Sequence, residues 1–251
     1  MPSPLKPLKW YHEMEERKAR QEAGAFLVEG ERAIRQIAEN HPEAIREILS
    51  VETPPPSLQG YPTRTLTGRQ LHAVSHTKTP PGIMALVSLP PDSYAAAPPE
   101  HTGDRVLLLE DIQDPGNVGT LIRTAAALDY NGVVLTEKCA DPFAPKCVQA
   151  TAGAVLSVWL RRTERYLEMA GNLKQGGFSL VAAELNGTFG PEALGGKEKI
   201  LLALGNEAAG LSGELRAMAD IRLKLPTARE KAESLNVAAC GAILMYLSHR
   251  G

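Results

Sequence analysis

The sequence predicts an α/β protein with a larger C-terminal part, built as a mostly parallel sheet with helices on both faces, and a smaller N-terminal α/β part. Short apolar runs rich in leucine and β-branched residues alternate with segments of helical periodicity along the chain. Parallel strands need long crossover connections, which such helices provide. Prolines and alanines are concentrated within 88–103, which predicts a semi-rigid linker. We therefore expect one domain at 1–95 and a second at 104–251.

Composition limits the possible classes of protein. The 251 residues are 43% hydrophobic, which suits one or two domains with a sizeable core. A net charge of -2 argues against nucleic-acid binding through bulk charge but leaves a local basic face open. The three cysteines have no metal-binding spacing, so we expect reduced thiols in a cytoplasmic protein without a structural metal. Neither a membrane span nor a signal peptide is predicted.

The N-terminal part has an element order similar to a βαβ unit. A charged helix at 8–22 is followed by Gly24, a residue suited to ending it. Thr67 is expected to cap a short helix that ends near Val74. The other predicted elements are strands at 25–28, 45–51 and 82–87, and a helix at 31–39.

The C-terminal part alternates strands and helices throughout, which predicts the parallel sheet. The predicted strands are 105–110, 132–136, 156–160, 178–183, 199–204 and 220–225. The predicted helices are 117–129, 144–153, 163–174, 212–218 and 234–248.

The most informative segment, 106–125, passes from a strand through an Asp-Pro-Gly turn into a helix. Asn117 is expected to be the N-cap, with Thr120 and Arg123 away from the core face. Ligand sites of open α/β sheets lie beyond the carboxyl ends of strands, where the Arg123 guanidinium can hold a phosphate or a ribose oxygen. A capping asparagine beside a solvated arginine explains the pattern equally well. The core face is predicted to contain Val118, Leu121, Ile122 and Ala125.

A second apolar strand, ending at Leu204, runs into Gly-Asn-Glu, and Gly-Leu-Ser then opens a helix. Gly205 allows a ligand to approach the backbone closely. Glu207 stands where a carboxylate at a strand end can meet a substrate or a cofactor amine. Taken alone, the segment is better explained as a βα turn with Glu207 near a helix N-terminus.

The third segment joins the last strand to an apolar final helix. Ser234 is a plausible N-cap of this helix, and Leu235 can line an apolar pocket. Taken alone, Ser234 and Asn236 are better explained as capping residues than as catalytic ones.

Together, and in this order, the three segments resemble the SpoU (TrmH-like) family of RNA ribose 2'-O-methyltransferases, part of the SPOUT superfamily. The resemblance covers 105–251, with a weaker match at 141–143 and 153–154. The matching residues are Asn117, Gly119 and Arg123 in the first motif, Gly205, Glu207, Gly210 and Leu211 in the second, and Pro226 and Ser234–Val237 in the third.

The N-terminal part is similar to the optional substrate-binding domain of that family, which resembles a small ribosomal RNA-binding protein. The similarity lies in 26–31 and 76–85, and it favours ribosomal RNA over transfer RNA as the substrate. Two features depart from the family pattern. The loop 227–233 lacks a glycine and is one residue longer than usual, and Gln149 stands where a basic residue is common.

The resemblance implies S-adenosylmethionine held in a trefoil knot, and a homodimer that shares its active sites. It places Leu204, Gly205, Leu225 and Leu235 around the cofactor. It also implies catalytic or positioning roles for Arg123, Asn117, Glu207, Asn236 and Ser234. Because arginine is hard to deprotonate, we prefer Arg123 as an orienting and charge-stabilising residue, with a phosphate or Glu207 as proton acceptor.

Three alternative functions compete with this prediction. A non-catalytic RNA-binding protein that kept the fold predicts no cofactor affinity, and the intact motif residues argue against it. A transfer RNA ribose methyltransferase would carry the same motifs. An α/β enzyme with a dinucleotide cofactor would need a GxGxxG after the first strand, which Asp-Pro-Gly-Asn-Val-Gly does not match.

Overall fold

The computed structural model describes residues 6–228, 230–231 and 234–249. The chain divides into two compact units, one formed by Met1–Pro91 with Asp141–Leu156 and the other by Asp92–Ala140 with Ser157–Gly251. The sequence-based boundary assigned 141–156 to the second domain, whereas the structure groups this segment with the first unit. Among the described residues, no helix combines the length and apolar character that a membrane span requires.

The secondary structure alternates along the chain as the sequence predicts. The strands are β1 (Ala25–Glu29), β2 (Ile45–Ser50), β3 (Thr63–Thr65), β4 (Ile83–Ser88), β5 (Arg105–Leu109), β6 (Gly132–Leu135), β7 (Trp159–Arg162), β8 (Ser179–Ala183), β9 (Ile200–Leu204) and β10 (Ile221–Leu223). The α-helices are α1 (Leu8–His12), α2 (Arg17–Ala23), α3 (Glu31–Asn40), α4 (Gly68–Val74), α5 (Pro115–Ala127), α6 (Pro145–Thr151), α7 (Tyr166–Gln175), α8 (Gly213–Met218) and α9 (Val237–His249).

The first unit is built on a four-stranded mixed sheet in the order β1-β4-β2-β3. Strand β4 is antiparallel to β1 and β2, and β3 is parallel to β2. The predicted cap of α4 is confirmed, because the Thr67 side chain accepts from the Gln70 N–H in a capping box. Strand β3 was not predicted, since it is three residues long, polar and partly exposed, and so carries no apolar pattern.

The predicted continuous helix at 8–22 is wrong. A 3-10 turn at Glu13–Glu15 separates α1 from α2, and the buried Arg20 side chain compensates for the break. Its guanidinium donates to the carbonyls of Met14 (2.7 Å) and Glu15 (2.6 Å), and to the Asp141 carboxylate (2.6 Å). Gly24, at φ 57°, ends α2 as expected.

The second unit contains a six-stranded sheet in the order β10-β8-β9-β5-β6-β7 with every neighbouring pair parallel. Helices flank it, which confirms the predicted fold class. Helices α7 and α8 pack on the side that contains Val106 and Leu108. On α9, a Cβ at Gly241 would lie 2.4 Å from Leu121 of α5 and 2.7 Å from Leu204 of β9, so this glycine lets α9 pack closely. The trefoil knot stays a prediction.

Two predicted strands of this unit have wrong bounds, one shifted along the chain and one too long. The strand expected at 156–160 begins at Trp159 and includes two buried arginines. Because arginine is not apolar, a search for apolar runs did not locate this strand correctly. Arg161 donates to the Ala97 carbonyl (3.1 Å), and Arg162 donates to the Cys139 carbonyl (3.1 Å). The strand expected at 220–225 ends at Leu223, because the Lys224 N–H donates to the carbonyl of Phe189 instead (2.9 Å).

Candidate active site

Strands β5 and β9 are neighbours in the parallel sheet, so the loops that follow them begin side by side. The Glu110 N–H, directly after β5, donates to the carbonyl of Leu204 at the end of β9 (2.9 Å). This is the edge of the sheet at which open α/β proteins bind ligands. The first and second motifs therefore begin at the same edge.

The N-cap of α5 is Asp114, so the prediction that Asn117 caps this helix is wrong. The Asp114 carboxylate accepts from the Asn117 N–H (2.7 Å), and Pro115 occupies the first helical position, where its missing N–H costs nothing. The Asn117 amide is consequently available for other contacts. The predicted core face is confirmed, since its residues are buried: Val118, Leu121, Ile122 and Ala125.

The second motif folds as a tight turn. A Cβ on Gly205 would lie 2.4 Å from the carbonyl carbon of Gly210, so only glycine fits at this position. The Gly210 N–H donates to the Asn206 carbonyl (2.8 Å), which closes the turn. Glu207 lies within the turn and is exposed.

The third motif ends in the cap of α9. Asn236, not Ser234, is the N-cap, because its Oδ1 accepts from the N–H groups of Ala238 (2.9 Å) and Ala239 (3.3 Å). The sequence-based assignment of the cap to Ser234 is therefore wrong. The remaining Asn236 Nδ2 group donates to Oδ1 of Asn117 (3.1 Å).

Asn117 joins the three motifs. Its Nδ2 donates to Oε1 of Glu207 (2.8 Å), while its Oδ1 accepts from Asn236. These bonds fix the orientation of the Asn117 amide and leave Oε2 of Glu207 without a hydrogen bond from any described residue. The structure thus brings together three of the predicted catalytic residues.

A cavity of about 360 Å³ lies beside this network. The four predicted cofactor residues line it, together with Ser234 and Glu207 of the predicted catalytic set. Leu235 is 40% exposed, which is unusual for a leucine and leaves its side chain available to a ligand. The four cofactor residues are Leu204, Gly205, Leu225 and Leu235.

Arg123 stands apart from these contacts. It lies on the exposed face of α5, as does Thr120, which agrees with the sequence-based expectation. None of the described residues forms a hydrogen bond or an ion pair with its guanidinium. Arg123 lies six positions after Asn117, about 9 Å further along the helix axis at about 1.5 Å per residue. With no partner in the part of the chain that the structure describes, this cation is available to a ligand.

Two further carboxylates lie at the same sheet edge, and the sequence did not predict a role for either. Glu110 is 4% exposed and accepts from the Tyr166 hydroxyl (2.7 Å) and the Ser212 N–H (2.7 Å). Glu184, directly after β8, lines the cavity and pairs with Arg222 (2.8 Å). An acidic residue immediately after an apolar strand was the signal that could have identified both.

Two titratable groups near the cavity have shifted pKa values. Burial, followed by the hydrogen bond to Glu110, raises the pKa of Tyr166 to about 12. Burial also raises the pKa of the cavity-lining Cys240 thiol, which favours its neutral form. The described residues contain no group of three or more His, Cys, Asp or Glu that could hold a metal ion.

The loop 227–233, which departs from the family pattern in length and in lacking a glycine, is only partly described by the structure. Thr227 lines the cavity, whereas Arg229 and 232–233 lie outside the described residues. Gln149 is exposed on α6.

Comparison with known proteins identifies the family. The model of the SpoU rRNA Methylase family matches residues 104–246, and that of the MRM3-like substrate binding domain matches 6–85. The chain is 33% identical to the 23S rRNA (guanosine(2553)-2'-O)-methyltransferase RlmP of Bacillus subtilis over 95% of this chain and 94% of that protein.

Two solved structures match nearly the whole chain. A protein described as a TrmH-family RNA methyltransferase from Porphyromonas gingivalis is 30% identical with a TM-score of 0.82, covering 99% of both chains. The AdoMet-bound rRNA methyltransferase from Sinorhizobium meliloti is 25% identical with a TM-score of 0.80, covering 97% of this chain and 94% of that one. The chain therefore belongs to the SpoU rRNA methylase family, whose members are RNA 2'-O-methyltransferases that use S-adenosylmethionine.

Proposed function

We propose that this protein methylates the ribose 2'-hydroxyl of a nucleotide in 23S ribosomal RNA. The observation that carries the proposal is the convergence of three motifs on Asn117, which holds Glu207 at the edge of the cavity. The choice of RNA rests on RlmP, which matches this chain over nearly its full length. The guanosine methylated by RlmP is the first candidate nucleotide.

The cavity fits S-adenosylmethionine in size and chemistry. Its volume of about 360 Å³ lies within the usual range for small-molecule sites, and its lining combines leucine side chains with backbone and polar groups. Leu204, Gly205, Leu225 and Leu235 are the residues that would hold the cofactor, which when bound supplies an electrophilic methyl group on a sulfonium. Backbone N–H and C=O groups in this lining can recognise an adenine without a charged side chain.

The exposed polar side chains are assigned separate roles in positioning the RNA and in taking the proton. Arg123, which has no partner among the described residues, binds an RNA phosphate and so positions the ribose. Glu207 is placed to take the proton of the 2'-hydroxyl at Oε2, while Asn117 holds Oε1. A phosphate oxygen of the RNA is the competing acceptor. Asn236 fixes Asn117, and Ser234 contacts the ribose or the cofactor from the cavity wall.

We assign RNA binding to 1–95 and methyl transfer to 104–251. A fixed loop in the first unit supports the first assignment, because the Glu29 carboxylate accepts from the hydroxyls of Ser75 (2.6 Å) and Thr77 (3.0 Å). The next residue, Lys78, is exposed and can reach a phosphate. A cytoplasmic location is part of this proposal, and the proposed action on ribosomal RNA supports it.

A homodimer is the assembly that the last helix favours. Three large apolar side chains on α9 are exposed at i, i+3 and i+4 spacing: Ile243 (42%), Tyr246 (42%) and Leu247 (37%). A stripe of this kind on a helix usually packs against another surface. We expect sedimentation to give twice the chain mass for the wild type and the monomer mass for Ile243→Glu combined with Leu247→Glu. The trefoil knot is proposed from the family alone.

The deciding experiment is transfer of labelled methyl from S-adenosylmethionine to separate preparations of 23S rRNA, 16S rRNA and transfer RNA. Labelled RNA is then hydrolysed in alkali, which cannot cleave next to a 2'-O-methyl group. We expect an alkali-resistant dinucleotide from 23S rRNA alone, and position mapping identifies the nucleotide.

Each other outcome contradicts the proposal in a defined way. Label in transfer RNA alone overturns the substrate and keeps the chemistry. Alkali-labile label overturns ribose methylation. Absence of transfer to all three RNAs, together with absence of S-adenosylmethionine binding by calorimetry, favours a non-catalytic RNA-binding protein.

A further inference from the structure

Asp111 has a strained backbone at the edge of the candidate active site. It follows Glu110 in the first loop and has φ 57°, in the left-handed region that non-glycine residues seldom adopt. Thr136, the residue after β6, holds it there through two hydrogen bonds. The Thr136 hydroxyl donates to Oδ1 of Asp111 (2.7 Å) and accepts from the Asp111 N–H (2.9 Å). Lys138 pairs with the other carboxylate oxygen (3.3 Å).

The strained residue directs its carbonyl to the second motif. Nδ2 of Asn206 donates to the carbonyl oxygen of Asp111 (2.9 Å). Oδ1 of the same Asn206 side chain accepts from the N–H groups of Ala208 (2.9 Å) and Ala209 (3.0 Å). One amide therefore closes the turn around Glu207 and ties that turn to the first loop.

These contacts form a continuous path to the proposed proton acceptor. The path begins at Thr136, which is 3% exposed, and passes through Asp111 and Asn206 to the turn that contains Glu207. Glu207 then accepts from Asn117, which lies in the first turn of α5, directly after the first loop. The loop between β5 and α5 is thus hydrogen-bonded to the turn 206–210 on both sides, through Asp111 at its start and through Asn117 just after its end.

We infer that Thr136, Asp111 and Asn206 are positioning residues for methyl transfer: they hold the turn 206–210 so that Glu207 faces Asn117. The inference rests on the proposed function, but none of these three residues was among the predicted catalytic residues. None of the three needs to touch the reacting atoms. Buried hydroxyls that bond a strained residue beside a site are the kind of support that fixes catalytic geometry.

The sharpest variant is Thr136→Val, which keeps the shape of the side chain and removes both bonds to Asp111. Thr136→Ser keeps the hydroxyl and serves as the conservative rescue. Ser248→Ala is the matched control, because the Ser248 hydroxyl is also buried in the second unit and bonds to the Tyr130 hydroxyl (2.8 Å) and the Met245 carbonyl (2.8 Å). All three variants are made in the full-length protein.

Two readouts separate positioning from general stability. In single-turnover methylation of 23S rRNA, we expect Thr136→Val to lower the rate of transfer about tenfold or more, because small misplacements of catalytic groups have effects of that order. The turn 206–210 lines part of the cavity, but the residues proposed to hold the cofactor lie outside it: Leu204, Gly205, Leu225 and Leu235. The KM for RNA and the Kd for S-adenosylmethionine should therefore change less than about threefold. Thr136→Ser should restore the rate.

The second readout is hydrogen exchange at the amides of Ala208, Ala209 and Gly210, which needs no activity. We expect Thr136→Val to accelerate exchange at these three amides by about tenfold through local opening, and Ser248→Ala to leave them unchanged. Unchanged exchange, or a fall in melting temperature equal to that of Ser248→Ala with full transfer rate, overturns the inference. An inactive wild type refutes the proposed function alone, because the exchange experiment still decides the positioning role.

Discussion

Two sets of polar groups surround the carboxyl ends of β5 and β9, and they are built differently. The inner set is Glu110, Tyr166 and Ser212, in which a buried carboxylate has a donor on each oxygen. The outer set is Asn117, Arg123, Glu207 and Asn236, which are partly or fully exposed. Both sets contain a carboxylate that follows a parallel strand.

The difference lies in unused bonding capacity. Both oxygens of Glu110 are satisfied inside the protein, so its charge stabilises the start of α8 at Ser212. As far as the described residues go, one oxygen of Glu207 and the whole guanidinium of Arg123 remain available to a ligand. The inner set should therefore contribute to stability and the outer set to catalysis, and substitutions in each set test that division.

The largest effect is expected for Arg123→Ala. Loss of the exposed cation should lower methyl transfer by about 10³-fold, because one preorganised electrostatic contact in a transition state has an effect of that size. The Kd for S-adenosylmethionine should stay within about twofold, since Arg123 does not line the cavity. Labelled-methyl kinetics and calorimetry measure the two quantities.

Arg123→Lys is the control for this variant. Lysine keeps the charge but not the bidentate fork, so partial activity indicates phosphate neutralisation and full loss indicates oriented binding. Retained turnover in Arg123→Ala would contradict a catalytic role for Arg123.

Glu207→Gln should have the next largest effect. The glutamine oxygen can still accept from Asn117, but the side chain can no longer take a proton, and loss of a general base lowers rates by about 10²-fold. The free energy of unfolding should not change, because the carboxylate is exposed. Single-turnover rates from pH 6 to 9 measure the first quantity, and urea denaturation measures the second.

A different outcome would identify another acceptor. If Glu207→Gln transfers methyl at the wild-type rate, the proton goes to a phosphate oxygen of the RNA, and Glu207 serves only to hold Asn117.

Local pattern predicted the strands of the second unit better than its caps and its site contacts. Apolar runs located β5, β6 and β9 within one residue at each end, because these strands are buried on both faces. The same rule failed in β7, because this strand buries Arg161 and Arg162. The carbonyl groups that accept hydrogen bonds from these arginines lie in loops distant in sequence. The true N-cap of α5 could have been found, because proline favours the first helical position and Pro115 follows Asp114.

The site required information that local pattern lacks. Asn117 bonds to Glu207, 90 residues away, and to Asn236, 119 residues away. Only the resemblance to a family placed these three residues in one site. It did not identify Glu110, Thr136 or Asn206, whose contacts depend on which strands are neighbours.

Glu110→Gln tests the inner set. A buried amide in place of the carboxylate cannot accept from both the Tyr166 hydroxyl and the Ser212 N–H, so one donor loses its partner. We expect the free energy of unfolding to fall by about 2 kcal/mol, the usual effect of leaving a buried group without a hydrogen bond. The transfer rate per folded molecule should stay within about threefold.

The measurement is urea denaturation of Glu110→Gln beside Glu207→Gln, which makes the same chemical change in the outer set. Equal losses of stability in the two variants, or a greater loss of catalysis in Glu110→Gln, would contradict the division between the sets.

The smallest effect is expected for Tyr166→Phe, and it depends on pH. Burial and the bond to Glu110 raise the pKa of Tyr166 from 10.0 to about 12. Below pH 10 the phenol is protonated in both the folded and the unfolded chain, so its stabilising contribution is complete. Between pH 10 and 12 the unfolded chain loses the proton first, and that contribution is lost. Tyr166→Phe should therefore destabilise by about 1 kcal/mol at pH 8 and by progressively less above pH 10.

Urea denaturation at intervals from pH 8 to 11.5 measures this convergence. Leu173→Val is the control, because Leu173 is a buried residue of α7 without a titratable group, so its curve should run parallel to that of the wild type at every pH. If the stability of Tyr166→Phe and that of the wild type also change in parallel with pH, the hydrogen bond to Glu110 does not raise the pKa of the Tyr166 hydroxyl. The inner carboxylate would then have spare capacity like Glu207, and burial alone would not distinguish the two sets.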